Sequence, residues 1–69
     1  MNAEQMMEQL RRIVGAQMGN WQRVQASRPD MKSPKGAYAM GQCSVYSSII
    51  DELSMTFNID PWTCAKEDA

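Results

Sequence analysis

The sequence predicts an all-α protein, an antiparallel helical hairpin with a short C-terminal helical turn. Apolar residues recur every three or four positions along two long segments, and no stretch alternates polar and apolar residues. Pro29 and Pro34 enclose the turn between the segments. With 69 residues, 43% of them hydrophobic, the chain is predicted to form one domain over 1–69. Its predicted parts are a helix over 3–27, a turn over 28–33, a helix over 34–57 and a tail over 58–69.

The first helix is predicted to begin after Asn2. This residue can cap the helix, and Gln5 follows three positions later as in a capping box. Pro29 disfavours helical backbone at Arg28, so the helix is expected to end near Ser27. The stripe expected to be buried consists of Met7, Leu10, Val14, Trp21 and Val24, flanked by Met6, Ile13 and Met18.

The second helix is predicted to begin at Ser33-Pro34, which pairs a good cap with proline at the first helical position. Its expected core positions have an uninterrupted 4, 3, 4, 3, 4 spacing and are Ala39, Cys43, Tyr46, Ile50, Leu53 and Phe57. Asn58 can take the left-handed cap position, with Ile59 folding back on the last turn. Asp60-Pro61 repeats the cap-proline pattern, which predicts the last helical turn.

The short turn requires the two helices to be antiparallel neighbours. Folding about the centre of the turn pairs positions whose numbers add up to about 61. In that alignment Leu10 lies opposite Ile50, and Trp21 lies opposite Ala39. The same alignment predicts an ion-pair cluster that consists of Arg11, Arg12, Asp51 and Glu52.

The composition argues against enzymatic activity. The chain has no histidine, which excludes Ser/His/Asp and Cys/His nucleophile systems, and its two cysteines are too few for a cysteine-rich zinc site. Asp51 and Glu52 are adjacent in a helix, so their carboxylates point in different directions. We therefore predict a non-enzymatic protein with no catalytic residues, no metal and no cofactor.

Charge and targeting patterns limit the classes of partner. Residues 1–35 carry six cations and three anions, a net +3, whereas residues 36–69 carry one cation and five anions, a net −4. Such a balance argues against DNA binding. Glu4 and Glu8 lie where a signal peptide would be basic and then apolar, and the longest run without strongly polar residues is too short for a membrane span. A cytoplasmic protein with two reduced thiols is expected.

Self-association is predicted because a core of this size supplies only about 3–5 kcal/mol. The hairpin is expected to pair into a dimeric helical bundle. Gly15 and Gly19, four residues apart, would allow close approach of a second helix. The residues predicted to form the dimer or partner surface are Tyr38, Val45, Ile49, Met6, Ile13, Met18, Gly15 and Gly19.

An anion site at the turn end is the basis of an alternative function. Basic side chains surround the free backbone N–H groups at the start of the second helix, where a phosphate is favoured, and a glycine there would permit close approach. The candidate residues are Arg28, Lys32, Lys35 and Gly36. A chain built this way would bind or sequester a nucleotide.

Residues 33–57 resemble the second helix of small phage-encoded helical-hairpin accessory proteins. The residues that carry this resemblance are Lys35, Gly36, Gly41, Tyr46, Ile49, Ile50 and Leu53. It implies either a dimeric inhibitor of a host protein or an oligomer that sequesters cyclic nucleotides, in both cases in the host cytoplasm, and it assigns no role to any single residue. We expect a protein-binding module first, a nucleotide sponge second and a structural component of a larger assembly third.

Overall fold

The computed structural model describes residues 2–68 and contains three helices: α1 (Ala3–Ala26), α2 (Pro34–Phe57) and α3 (Pro61–Asp68). Residues 2–68 include no β-strand, so the all-α prediction is confirmed. The molecule is elongated, with extents of 46 × 21 × 17 Å. α1 packs against both α2 and α3, so α1 is the central element of the fold.

The predicted caps set the ends of the long helices. The Asn2 side chain accepts a hydrogen bond from the Gln5 N–H at 2.8 Å, and the Gln5 side chain accepts one from the Asn2 N–H at 3.1 Å, which completes the capping box. Ser33 Oγ accepts a hydrogen bond from the Gly36 N–H at 3.0 Å and caps α2. α2 ends at Asn58, whose φ of 54° is left-handed as predicted.

The core is small and lies where α1 meets the other two helices. The buried hydrophobic residues are Val14, Met18, Cys43, Ile50, Ile59 and Cys64. Two of the predicted core positions on α2, Cys43 and Ile50, are among them. Phe57 is 38% exposed, so its predicted burial is wrong. The Ile59 N–H donates a hydrogen bond to the Ser54 carbonyl at 3.0 Å, which folds the chain back and buries Ile59 beyond the end of α2.

The segment predicted as a tail is a helix that completes the core. α3 has eight residues and packs along α1. Its Cys64 is buried, and its Trp62 ring meets the Trp21 ring edge-on, with centroids 6.2 Å apart and planes at 80°. The C-terminal helix is longer than the single turn that was predicted after Pro61. Its contacts with α1 stabilise two turns of helix.

The side-chain hydrogen bond between α1 and α2 does not follow the predicted alignment. Gln25 Nε2 donates to Cys43 Sγ at 3.2 Å, and these two numbers add up to 68, whereas about 61 was predicted. The reason lies in the loop before α2. Asp30 packs against Gly36, so the loop covers the first turn of α2 and moves the pivot towards Pro34.

The predicted ion-pair cluster between α1 and α2 is wrong for the same reason. Within residues 2–68 the salt bridge is Arg12 to Glu8, at 2.8 Å and inside α1. Arg11 instead lines a hollow with Asp60 and Glu67. Because Arg12–Glu8 is an exposed pair four residues apart, it contributes little to stability.

Removing the Ser54 hydroxyl is expected to stabilise the protein. Its Oγ is buried and has no hydrogen-bond partner. A buried hydroxyl of this kind costs about 1–3 kcal/mol, and alanine is also the better helix former, so Ser54→Ala should raise the free energy of unfolding by about 1 kcal/mol. Urea denaturation measures the change. Ser48→Ala, at an exposed position of the same helix, is the control. Its free energy of unfolding should rise by less. Equal gains for the two variants would contradict the prediction.

Candidate functional site

The loop at the turn end is organised by an acidic residue. The Asp30 side chain accepts a hydrogen bond from the Lys32 N–H at 2.9 Å. The Asp30 carbonyl accepts two more, from the Ser33 N–H at 3.1 Å and the Ser33 Oγ–H at 3.0 Å. Arg28 holds a left-handed backbone with φ of 48°. The loop is therefore fixed by its own hydrogen bonds.

This arrangement removes the predicted anion site. Gly36 is buried, its N–H already donates to Ser33 Oγ, and a Cβ at this position would overlap the Asp30 carbonyl. The missing side chain at Gly36 therefore leaves room for the protein's own backbone. The prediction that it leaves room for a phosphate is wrong. The cations Arg28, Lys32 and Lys35 are exposed. The backbone of Asp30 lies against Gly36, where the anion was expected.

Several large apolar side chains are exposed on the surface of the molecule. Those exposed among residues 2–68 are Met6, Ile13, Met31, Tyr38, Val45, Met55, Phe57 and Trp62. Four of the predicted surface residues, Met6, Ile13, Tyr38 and Val45, are in this set, and Ile49 is half-buried. The exposed apolar residues outnumber the buried ones, which is unusual for a folded chain that acts alone.

Two of the predicted surface residues are buried. Met18 is 3% exposed and Gly15 is buried, so both belong to the interior, not to a partner surface. Gly15 follows Arg11 by one helical turn and lies on the side of α1 that carries α3. A Cβ at Gly19 would meet only the Arg23 side chain, at 3.8 Å, so no helix of this chain approaches Gly19 closely. Burial of Gly15 contradicts its predicted contact with a second subunit, whereas the contact at Gly19 stays a prediction.

α3 packs along part of α1 and meets α2 only near Asp51. A groove of about 130 Å³ marks the α3 side; the residues that line it include Trp21, Ser47, Asp51 and Trp62. Asp51 of α2 and Arg11 of α1 lie on the α3 side. Because a helix has 3.6 residues per turn, the positions about 180° around each helix from these two residues lie on the opposite side. The polar residues Gln9, Asn20 and Gln42 lie on that side. The apolar residues on the same side, called the open face below, are Met6, Ile13, Val24, Tyr38, Val45 and Ile49. Val24 and Ile49 are half-buried and the other four are exposed.

Charged side chains are absent from the middle of both helices. Residues 13–22 of α1 and residues 36–50 of α2 contain no Lys, Arg, Asp or Glu. On the α3 side, a hollow of about 510 Å³ is lined by charged residues, among them Glu8, Arg11, Arg12 and Glu67. The charges of α1 and α2 therefore lie towards the ends of the two helices.

The cysteines are not arranged for catalysis. Cys43 and Cys64 are both buried and unbridged. Burial raises the pKa of the Cys64 thiol, and the negative charge of Glu67 adds to the effect. A raised pKa keeps this thiol protonated and weakly nucleophilic. In the part of the chain that the structure describes, no three His, Cys, Asp or Glu side chains gather as a metal site would need.

The cap of α3 gives the protein an acid-sensitive element. A hydrogen bond from the Thr63 hydroxyl, at 2.9 Å, and one from the Trp62 N–H, at 3.0 Å, lower the pKa of the Asp60 carboxyl below its ordinary value of 3.8. A lowered pKa contributes stability above pH 3.8, which is lost as pH falls through the lowered value.

We therefore expect α3 to loosen from α1 as the pH falls below 3.8. Tryptophan fluorescence follows this change directly, because the chain has two tryptophans and they meet at the contact between α1 and α3. Asp60→Asn is the matched control. Asparagine also caps a helix but does not titrate, so the variant should lack this part of the pH dependence. Identical acid profiles for the two proteins would contradict the assignment.

Comparison of the chain with models of known families, with characterised proteins and with solved structures finds no match. Among the helices over residues 2–68, none combines the length and the apolar character required to cross a membrane.

Proposed function

We propose that this chain is a non-enzymatic protein-interaction module, an accessory or inhibitor protein of the phage type that acts on a host protein in the cytoplasm. In this proposal α1 and α2 form an antiparallel hairpin, two hairpins pair into a dimeric helical bundle, and the dimer binds its target. The observation that carries the proposal is the excess of exposed over buried large apolar side chains. Apolar and aromatic side chains exposed on the surface are favoured at protein-binding sites.

The size of the core supports self-association. Among the residues that the structure describes, Val14 is the one large side chain with essentially no exposure. The contact between α1 and α2 is completed by half-buried residues such as Leu10 and Leu53. A domain of this length gains only about 3–5 kcal/mol from its own core, and small proteins make up the rest with disulfides, metals or subunits. Both cysteines are free, and the described residues form no metal cluster. A second subunit is the remaining source of stability.

A second protein could then be bound by apolar side chains outside the open face. Met55 is 83% exposed and Trp62 is 57% exposed. Aromatic residues and methionines are enriched at protein interfaces, and methionine adapts its shape to different partners. Binding of this kind blocks a surface of the target, which is how a small protein without catalytic groups inhibits.

The nucleotide sponge receives no support from the loop geometry, because the Gly36 amide is already bonded and Asp30 occupies the approach. Calorimetry of the protein with mono-, di- and cyclic nucleotides should therefore give no heat of binding. A micromolar interaction that is lost when Arg28, Lys32 and Lys35 are all changed to alanine would overturn this conclusion in favour of a nucleotide-binding protein.

Sedimentation equilibrium at micromolar concentration tests the proposed function. A dimer is the expected result, and a monomer would overturn it. The target is sought by affinity capture from the native host, with Trp62→Ala and Met55→Ala as variants expected to lose it. A target retained by both variants would place the binding site elsewhere on the molecule.

A further inference from the structure

We infer that the groove beside Trp62 binds the ammonium group of a lysine side chain on the partner protein. Trp21 and Trp62 supply two aromatic walls, and Asp51 supplies a negative charge in the same groove. The inference rests on the proposed function, because the lysine belongs to the protein that this chain binds. It deepens that function by naming the chemistry that is recognised.

All three helices contribute to the groove. Trp21 belongs to α1, Ser47 and Asp51 lie on successive turns of α2, and Trp62 lies in the first turn of α3. The groove has a volume of about 130 Å³, whereas pockets for whole small molecules measure about 300–1,000 Å³. It therefore has room for the end of one side chain. A side chain on a protein is held by the contacts around it as well, which a free molecule of this size would lack.

The two tryptophan rings form a corner that suits a compact cation. Their planes make an angle of 80°, and their centroids are 6.2 Å apart. A cation placed beside both rings can therefore lie within about 6 Å of each centroid, the range over which the negative face of a ring attracts it. The ammonium group of lysine is compact and can contact both walls of the corner. The planar guanidinium group of arginine stacks on one ring at a time, so the corner favours lysine.

Asp51 gives the groove its charge. It is exposed, and it is the one ionic side chain among the described residues that line the groove. Within residues 2–68 the ion pair is Arg12 to Glu8, so Asp51 has no cationic partner in this part of the chain. An ammonium group that carries N–H donors can bond to the Asp51 carboxylate and to the Ser47 hydroxyl, which both accept hydrogen bonds. A quaternary ammonium ion has no such donors.

The charge of the surrounding chain favours the same ligand. Residues 36–69, which supply Asp51 and Trp62, carry one cation and five anions. An excess of negative charge raises the local concentration of cations and speeds their approach. The groove therefore combines aromatic faces, an unpaired carboxylate and an acidic setting, each of which favours a cationic side chain over a neutral or acidic one.

Titration of the isotope-labelled protein with N-acetyl-lysine methylamide tests the inference. The chain has two tryptophans and both line the groove, so both indole N–H signals in the NMR spectrum report on its occupancy. Saturable shifts of both signals are expected. The matched probe is N-acetyl-norleucine methylamide, which lacks the ammonium group and should cause no saturable shift. Equal responses to the two probes would overturn the inference.

Three variants locate the binding site. Asp51→Asn removes the charge and keeps the size of the side chain, so the dissociation constant of the lysine probe should rise about two- to fivefold. Glu52→Gln is the matched control, since Glu52 is exposed and adjacent but is not among the residues that line the groove, and it should bind as the wild type does. Trp62→Leu should raise the dissociation constant about tenfold, followed by the remaining indole signal.

The outcomes separate the inference from the proposed function. If circular dichroism shows that Trp62→Leu loses helix, the comparison of Asp51→Asn with Glu52→Gln decides alone, since both positions are exposed. Equal binding by these two variants would overturn the inference. Tighter binding of tetramethylammonium, or of N-acetyl-arginine methylamide, than of the lysine probe would also overturn it, in favour of a small cation or of arginine. The proposed function would stand in each case, because sedimentation and capture of the target test it independently.

Discussion

Replacing Ile50 by aspartate is expected to unfold the protein. Ile50 is 5% exposed and belongs to the cluster in which α1, α2 and α3 meet, together with Val14 and Met18. The substitution removes about 1.5–3 kcal/mol of apolar burial and also buries a charge with no partner. These two costs together exceed the roughly 3–5 kcal/mol that a core of this size supplies. Circular dichroism melting should show the loss of the cooperative transition.

A graded pair of variants makes the same prediction quantitative. Ile50→Val removes one methylene group from the same site and should lower the free energy of unfolding by about 0.5–1.5 kcal/mol, measured by urea denaturation. Ser44→Asp introduces the same charge on the exposed side of α2. This substitution should change the free energy of unfolding by less than about 0.5 kcal/mol. A cooperative, unshifted melt of Ile50→Asp would show that this side of α2 does not form the core.

Gly36→Ala is expected to have the second largest effect. The added methyl group would overlap the Asp30 carbonyl, so the loop before α2 would have to move. That movement breaks the hydrogen bonds that the Asp30 carbonyl accepts from Ser33. We expect a loss of about 1–3 kcal/mol in the free energy of unfolding by urea denaturation, even though alanine is the better helix former. The cost is steric, because the backbone of Gly36 is helical and has no positive φ.

Gly41→Ala is the matched control within the same helix. A Cβ at Gly41 would meet no atom within 4 Å, so only the helix propensity changes. The free energy of unfolding of this variant should therefore rise by about 0.5–1 kcal/mol. The two glycine variants should therefore shift stability in opposite directions. Equal stabilisation by both would mean that Asp30 does not pack on α2, and it would reopen the turn end as a site for a ligand.

The helix ends and part of the core could be predicted because their causes lie within a few residues. The capping box of Asn2 and Gln5 forms as expected, and the left-handed cap at Asn58 ends α2. The repeated spacing that includes Cys43 and Ile50 identifies the buried side of α2. Each of these features depends on backbone hydrogen bonds or on helical periodicity, both of which operate over one or two turns.

The candidate sites could be predicted only in part. Met6, Ile13, Tyr38 and Val45 are exposed as expected, since each lies outside the apolar stripe of its helix. Met18 was expected at the surface because it flanks that stripe on α1. Its burial depends on α3, whose packing widens the buried side of α1. No local pattern contains this information, because a helix turns a different side to each neighbour.

The sequence by itself determined the helical class, the helix ends and the side of α2 that is buried. The tertiary structure decided which residues of α1 and α2 meet, the burial of Cys64 and the side of α1 against which α3 packs. Local features suffice for the first group, because capping and periodicity act between neighbours in sequence. The second group depends on how Asp30 packs against Gly36 and how Trp62 packs against Trp21. These contacts arise only when distant segments meet, so their energies cannot be deduced from spacing along the chain.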